Sequence, residues 1–436
     1  MKNGRKWLLL PEAHSTPWGE AGLFIGVDAE KAAPSRHRNG KMMIPDFQFI
    51  SVPRIVFGAG TRDLIAGEMK AIGGLALVVT GGRSLEESGT WERIQGQIQK
   101  AGVACERVRV SGEPSPELID KTLAALRGRG VALVLSIGGG SVIDAGKALA
   151  AMMPQDCSVT EFMEGIGDRE HNGQVLPHIA VPTTSGTGSE ATKNAVLSRV
   201  GPDGYKKSIR HDNFIPDLAV VDPELVLSCP ASVTAATGLD ACTQLLESYV
   251  STKASPMTDA LALSGLGFVS DSLLSACSDG AGDTAVRAEM AYGSLISGIC
   301  LANAGLGIVH GLAASIGGLF DIPHGVVCGT FLGTATAETI GALRERGGGS
   351  LALEKYARVG ALFAGREYRR KDRDLLCDSL VETLHAWVEK LDIPRLSTYG
   401  ISQKDCAEIV RKTGNKNNPA ELTPAEIERV IVKRLE

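Results

Sequence analysis

The sequence predicts an α/β domain, a parallel sheet of Rossmann-like type, followed by an all-helical C-terminal domain. Three observations predict it. Short apolar runs alternate with helical stretches from Phe47 to about Asp222, glycine- and hydroxyl-rich segments follow two of those runs, and strand signals stop after Pro230. Runs that are apolar throughout, instead of alternating with polar residues, indicate strands covered on both faces.

Residues 75–79, 132–137, 178–182 and 218–221 read as buried strands, and residues 62–71, 89–101 and 116–127 as helices between them. Beyond Pro230 the Ala/Leu/Glu/Arg periodicity is helical to the end. Thr423-Pro424-Ala425-Glu426 opens the last helix with an N-cap threonine, a proline at the first helical position and a glutamate three residues after the cap. The expected division is a disordered extension at 1–41, the α/β domain at 42–228 and the helical domain at 229–436. The extension carries seven Lys/Arg against four Asp/Glu with no sustained period, so Met42 or Met43 reads as the start of the folded part.

Composition removes several function classes. At 436 residues, 44% hydrophobic and 22% charged, the chain is that of a folded protein. A net charge of −5 and 5% aromatics argue against a nucleic-acid partner. The cysteines are odd in number and form no CxxC pair, the pattern of reduced thiols in a cytoplasmic protein. The apolar run Trp7–Leu10 is cut by Pro11, too short for a signal peptide. Residues 291–320 contain no charged residue, yet they are rich in glycine, include Asn303 and His310, and lack a basic flank. A buried helix pair is expected there, and no membrane partner.

Two segments carry the chemistry of an anion site. Gly138-Gly139-Gly140-Ser141 follows a buried strand and opens a helix at about Val142. Glycines at such a turn let backbone N–H groups approach a phosphate, and the helix N-terminus adds partial positive charge. Thr183-Thr184-Ser185-Gly186-Thr187 follows the next strand at its carboxyl end, where open α/β sheets bind ligands, and offers hydroxyls to a cofactor. In the helical half, Asp240 and Gln244 lie four apart on one helix face. With His310 and His324 they make a candidate divalent-metal set, although spacing alone does not bring the histidines together.

The series Gly138 to Lys147, Pro182 to Glu190, Thr237-Gly238-Leu239-Asp240, Gly305 to Gly311 and Pro323-His324-Gly325 resembles the iron-containing (group III) alcohol dehydrogenase family, in the family's order, from about Phe57 to the C-terminus. The resemblance implies NAD(P)-dependent hydride transfer to or from a small alcohol or aldehyde, in a cleft between the two domains of a cytoplasmic homo-oligomer, a dimer. It assigns the pyrophosphate to Gly139, Gly140 and Ser141 with Asp144 nearby, and cofactor contacts to Thr183, Thr187 and a lysine matched loosely by Lys207. Asp240, His310 and His324 match three metal ligands, for iron or zinc. The fourth position departs from the family, because Gln244 stands where a histidine is usual, and a further family histidine is Ala314 here. An amide oxygen is a poorer ligand than imidazole for these ions.

The family pattern also bears on the nucleotide. NAD users carry an aspartate after the strand equivalent to residues 75–79, and a carboxylate there repels a 2′-phosphate. Here Thr80-Gly81-Gly82-Arg83-Ser84 replaces it, so NADP is expected over NAD, with Gly81 making room and Arg83 offering a cation. Two alternatives stand beside the metal-assisted reading. One is a metal-independent reductase of the maleylacetate reductase type, with His310 and His324 supplying the proton and a hydrogen bond. The other is a non-redox lyase of the dehydroquinate synthase type, which would want dense Lys/Arg where residues 305–318 are apolar.

Overall fold

The computed structural model describes residues 44–435 apart from Gly348, and from Asp46 onward they form one compact unit. The expected extension at 1–41 lies outside the described residues. Six strands, β1 (Arg54–Phe57), β2 (Leu75–Thr80), β3 (Cys105–Arg109), β4 (Val131–Gly138), β5 (His178–Pro182) and, late in the sheet, β8 (Leu218–Val221), make one sheet. Its order is β1-β8-β5-β4-β2-β3 and every pairing is parallel. Strands β6 (Asn194–Arg199) and β7 (Tyr205–Arg210) form a separate antiparallel hairpin.

Alternating side chains of the central strands feed two apolar layers, as a doubly covered sheet requires. Ala76, Val78, Leu133, Leu135 and Ile137 pack with helices α1 (Ile65–Ile72) and α3 (Thr90–Ala101), which flank the short α2 (Ser84–Glu87). Leu77, Val79 and Val134 pack on the other face with α4 (Pro116–Leu126) and α5 (Gly140–Met152). The chain steps outward from β2 to β3 and returns to β4 on the other side of β2. That reversal is the topological switch point, and ligands bind at the strand ends beside it. Thr80 and Gly138 end the two strands that flank it.

The expected buried strands are all present. The strands that sequence reasoning missed all carry charge: Arg54 opens edge strand β1, Glu106, Arg107 and Arg109 lie on edge strand β3, and β6–β7 carries Arg199, Lys206, Lys207 and Arg210. Edges and hairpins exposed on one side tolerate such residues, so the apolar signal is absent there.

The remainder is helical: α6 (Ala231–Val250), α7 (Pro256–Ala276), α8 (Thr284–Ala304), α9 (Ile308–Leu319), α10 (His324–Glu345), α11 (Ser350–Phe363), α12 (Arg373–Lys390), α13 (Cys406–Lys412) and α14 (Pro424–Val432). The last begins on the expected capping box, with Thr423 Oγ1 accepting from Glu426 N and Glu426 Oε2 accepting from Thr423 N. The uncharged stretch 291–320 is a helix pair bent by 97° between α8 and α9. Among the described residues one helix, α10, is by itself long and apolar enough to cross a membrane, and 83% of its apolar window is buried inside the protein.

Candidate active site

The glycine turn and the threonine segment are built against each other. A Cβ at Gly140 would lie 2.5 Å from Thr187 Cγ2, and one at Gly139 would lie 3.3 Å from Thr184 Oγ1. Glycine is therefore what lets the N-terminus of α5 nest under the segment after β5. Thr183 N donates to Gly138 O at 3.0 Å, which locks the two strand ends together. Gly139, Gly140, Ser141, Thr183, Thr184 and Thr187 thus share one half-buried edge at the switch point. Asp144 does not face that edge. One carboxylate oxygen accepts from Ser189 Oγ (2.8 Å) and the other from Val196 N (3.0 Å), so it ties α5 to the threonine segment and β6. Lys147, wholly buried, ties the same elements by donating to Ser189 O, Thr192 Oγ1 and Asn194 O.

Gly81 follows β2, and a Cβ there would make only an ordinary contact, 3.5 Å from Val142 Cγ2. Arg83 is exposed at the start of α2 and makes no ion pair among the described residues. Lys207 is exposed, with Nζ 3.8 Å from where a Cβ of Gly165 would stand. Its neighbour Lys206 is the lysine that turns inward. Nζ lies 3.0 Å from Glu113 Oε2, and the stem runs against Gly317 of α9. Adjacent strand residues point to opposite faces, so a one-residue ambiguity in the loop decides which lysine reaches the cleft.

The helical half supplies the second part of the site. Asp240, Gln244 and Glu247 follow one another along one face of α6. His310 sits in the first turn of α9, His324 is the first residue of α10, and Cys328 follows one turn later. Their side chains converge as the sequence could not show. Asp240 Oδ1 is 3.4 Å from His310 Nε2 and 3.8 Å from His324 Nε2, and Cys328 Sγ is 3.6 Å from each imidazole Nε2. Gln244 takes a different partner. Its Oε1 accepts from Ser297 Oγ at 3.1 Å, and the same hydroxyl lies 3.4 Å from Gly186 O, joining α6 and α8 to the threonine segment.

Glu247, which sequence reasoning missed, orients the centre. Its carboxylate accepts from Val309 N and lies against His310 Nδ1, both at 2.7 Å. It therefore caps the start of α9 and fixes the imidazole so that Nε2 faces Asp240. The only signal for it was its place on the Asp240–Gln244 face of α6.

The electrostatics follow from this geometry. Burial works against the charge of Asp240, yet His324 and His310 hold its carboxyl well below the usual range. Burial pushes His324 down to about 4, a fall to which Lys206 adds and which Asp240 only partly offsets. For His310 burial is outweighed by Cys328, Asp240 and Glu247, which raise it well above its ordinary value. Burial, then Asp240, pushes the Cys328 thiol up to about 12.

Asp240 Oδ1 is buried and has no hydrogen-bond partner, although two imidazole nitrogens face it. A bare carboxylate oxygen at the focus of two imidazoles suits a divalent cation, which would take all three lone pairs at once. The residues present thus fit such an ion.

A glycine turn at a switch point, joined through the threonine segment to the helices that carry a buried carboxylate–imidazole centre, has the parts of a nucleotide-dependent enzyme. Residues 53–223 match the family model "iron-containing alcohol dehydrogenase" and residues 234–435 its C-terminal counterpart, so the chain belongs to the iron-containing alcohol dehydrogenase family. It is 38% identical to long-chain-alcohol dehydrogenase 1 of Geobacillus thermodenitrificans, over 63% of this chain and 71% of that one. It is 28% identical to the NADPH-dependent butanol dehydrogenase of Clostridium saccharobutylicum, over 87% and 96% of the two chains. The crystal structure of a 1,3-propanediol oxidoreductase superposes with a TM-score of 0.79 at 26% identity, covering 89% of this chain and 100% of that one.

Proposed function

We propose that the protein is an NAD(P)-dependent alcohol dehydrogenase, working also as an aldehyde reductase, on a small and largely apolar substrate, with a divalent cation at Asp240, His310 and His324. The observation that carries this reading is the convergence of those three side chains on helices packed against the nucleotide-binding edge. Gly188, in the threonine segment, packs so closely on Gly298 of α8 that a Cβ on it would stand 2.4 Å from Gly298 N.

When bound, the nicotinamide carries the hydride and the cation polarises the carbonyl or acidifies the alcohol. The chain's own residues hold the geometry. Gly139, Gly140 and Ser141 present backbone donors to the pyrophosphate, and Thr183, Thr184 and Thr187 line the path from that turn to the centre. Glu247 holds the His310 Nδ1 proton and turns Nε2 toward Asp240, where the raised His310 would have to give up its Nε2 proton to ligate a cation, while the depressed His324 stays neutral and able to ligate at pH 7.

NADP is proposed over NAD, because no carboxylate follows β2 at Gly81 and the exposed Arg83 stands two residues on. Relatives of both kinds are similar to this chain, an NADPH-dependent butanol dehydrogenase and an NAD-dependent methanol dehydrogenase, so the choice rests on the turn after β2. The metal-independent reading rests on Gln244 in place of an imidazole. It assigns the same position to His310 and His324, whose rings lie 5.5 Å apart, as proton donor and hydrogen-bond donor. Nicotinamide absorbance with NADPH or NADH and a series of short aldehydes and alcohols tests the activity. No oxidation of either nucleotide with any aldehyde would overturn it.

A further inference from the structure

The structure assigns the fourth vertex of the metal centre to the Cys328 thiolate, making an Asp/His/His/Cys site that favours zinc, with Gln244 outside the coordination sphere. This rests on the metal-assisted reading above and names a ligand beyond it.

Four separations support the assignment. With Zn–N near 2.0–2.1 Å and Zn–S near 2.3 Å, a tetrahedral ion places its sulfur and nitrogen ligands about 3.6 Å apart, and nitrogen and oxygen about 3.3 Å apart. Cys328 Sγ lies 3.6 Å from both imidazole Nε2 atoms, and Asp240 Oδ1 lies 3.4 and 3.8 Å from them. All four ligand atoms fall within 4.8 Å of one another. Four of the six edges therefore stand near those of a tetrahedron before any ion draws the set in, and the other two are no longer than 4.8 Å.

The thiol's surroundings separate Cys328 from an ordinary core cysteine. Buried Cys300 and Cys377 each point the sulfur at a backbone carbonyl, on Thr258 and Leu353. Cys328 points its sulfur at two imidazole nitrogens and shares that focus with the unpartnered Asp240 Oδ1. Its place on α10, four residues after His324, puts both side chains on one helix face, an arrangement that lets two donors reach one ion. Gln244 has its carbonyl oxygen engaged by Ser297 instead. A thiolate in place of an imidazole or amide softens the donor set, and soft sulfur selects zinc over harder ions.

Cobalt(II) titrated anaerobically into metal-depleted full-length protein tests this directly, because a cobalt–thiolate bond absorbs in the near ultraviolet independently of turnover. The expected result is one cobalt per chain with intense visible bands of a tetrahedral ion and a near-ultraviolet thiolate band. Cys328→Ser should lose the near-ultraviolet band, keep weaker visible bands and bind cobalt at least about 10–100-fold less tightly, no less than the loss of an outer-shell partner costs. Gln244→Ala should keep the thiolate band. Cobalt bound in the visible spectrum with no thiolate band would overturn the cysteine assignment and leave the metal reading standing. No cobalt uptake at all would overturn both.

Discussion

Glu247 and His310 are joined across the helical half, with the carboxylate 2.7 Å from imidazole Nδ1. The pair sets which nitrogen of His310 is free, and therefore whether Asp240 faces a lone pair or a proton when a cation arrives. Glu247→Gln keeps the shape and removes the charge. It should weaken zinc or cobalt binding about 10–100-fold, the usual cost of losing such an outer-shell carboxylate. Competition with a chromophoric chelator measures this, and nucleotide KM should stay as in wild type, because the glycine turn lies on another element.

Gly81 should govern nucleotide choice. Wild type should favour NADPH in kcat/KM. Gly81→Asp has room at Cβ, with only Val142 Cγ2 in ordinary contact, so the change acts through charge and not through folding. It should swing the NADPH/NADH ratio of kcat/KM toward NADH by at least about tenfold, equivalent to about 1.4 kcal/mol. An unchanged ratio would show that this turn does not read the 2′ position.

Glu190 should make stability fall with rising pH. Burial pushes its carboxyl up to about 7 from an ordinary 4.5. The folded chain then holds a proton that the unfolded chain has already lost between those values, so folding weakens as pH rises through that window. Glu190→Gln removes the cost of ionisation. It should raise stability at pH 8 by up to about 3 kcal/mol and change little at pH 4. Urea unfolding at the two pH values reads the difference. A stabilisation equal at both would contradict the buried-acid account.

Gly188 should be intolerant of any side chain. Its φ is +60°, and a Cβ would meet Gly298 N at 2.4 Å and Ser294 O at 2.5 Å. These are backbone atoms, so relief requires α8 to shift away from the threonine segment. Gly188→Ala should cost about 1–3 kcal/mol of stability and raise nucleotide KM, because the same shift displaces Thr187. Thermal unfolding with and without nucleotide would show both effects.

The legible parts of the molecule are those whose signal is local. Strands β4 and β5 are apolar because both faces are covered, save Ser136 and His178, which bond to each other, and the glycine and threonine segments follow them directly in sequence. Strand β3 and the β6–β7 hairpin escaped because partial exposure lets Glu106, Arg107, Lys206 and Arg210 stand where an apolar pattern was sought. The choice between Lys206 and Lys207 turns on strand parity, which a loose loop cannot set. The family resemblance sets Asp144 beside the pyrophosphate turn, but its carboxylate is engaged by Ser189 and Val196. Asp240, His310 and His324 are grouped as a metal set through the family resemblance and not through their spacing. Their convergence, and the presence of Cys328 and Glu247 among them, depends on how α6, α9 and α10 cross, which no local spacing encodes.

The central claim is hydride transfer supported by a cation at Asp240, His310 and His324. The measurement that tests it most directly is the rate of NADPH oxidation with a short aldehyde before chelation, after complete metal removal and after zinc or iron is returned. The account predicts that activity falls to background on removal and recovers in proportion to restored metal. Full activity in protein shown to be metal-free would contradict it and leave the paired histidines as the acid of a metal-independent reductase.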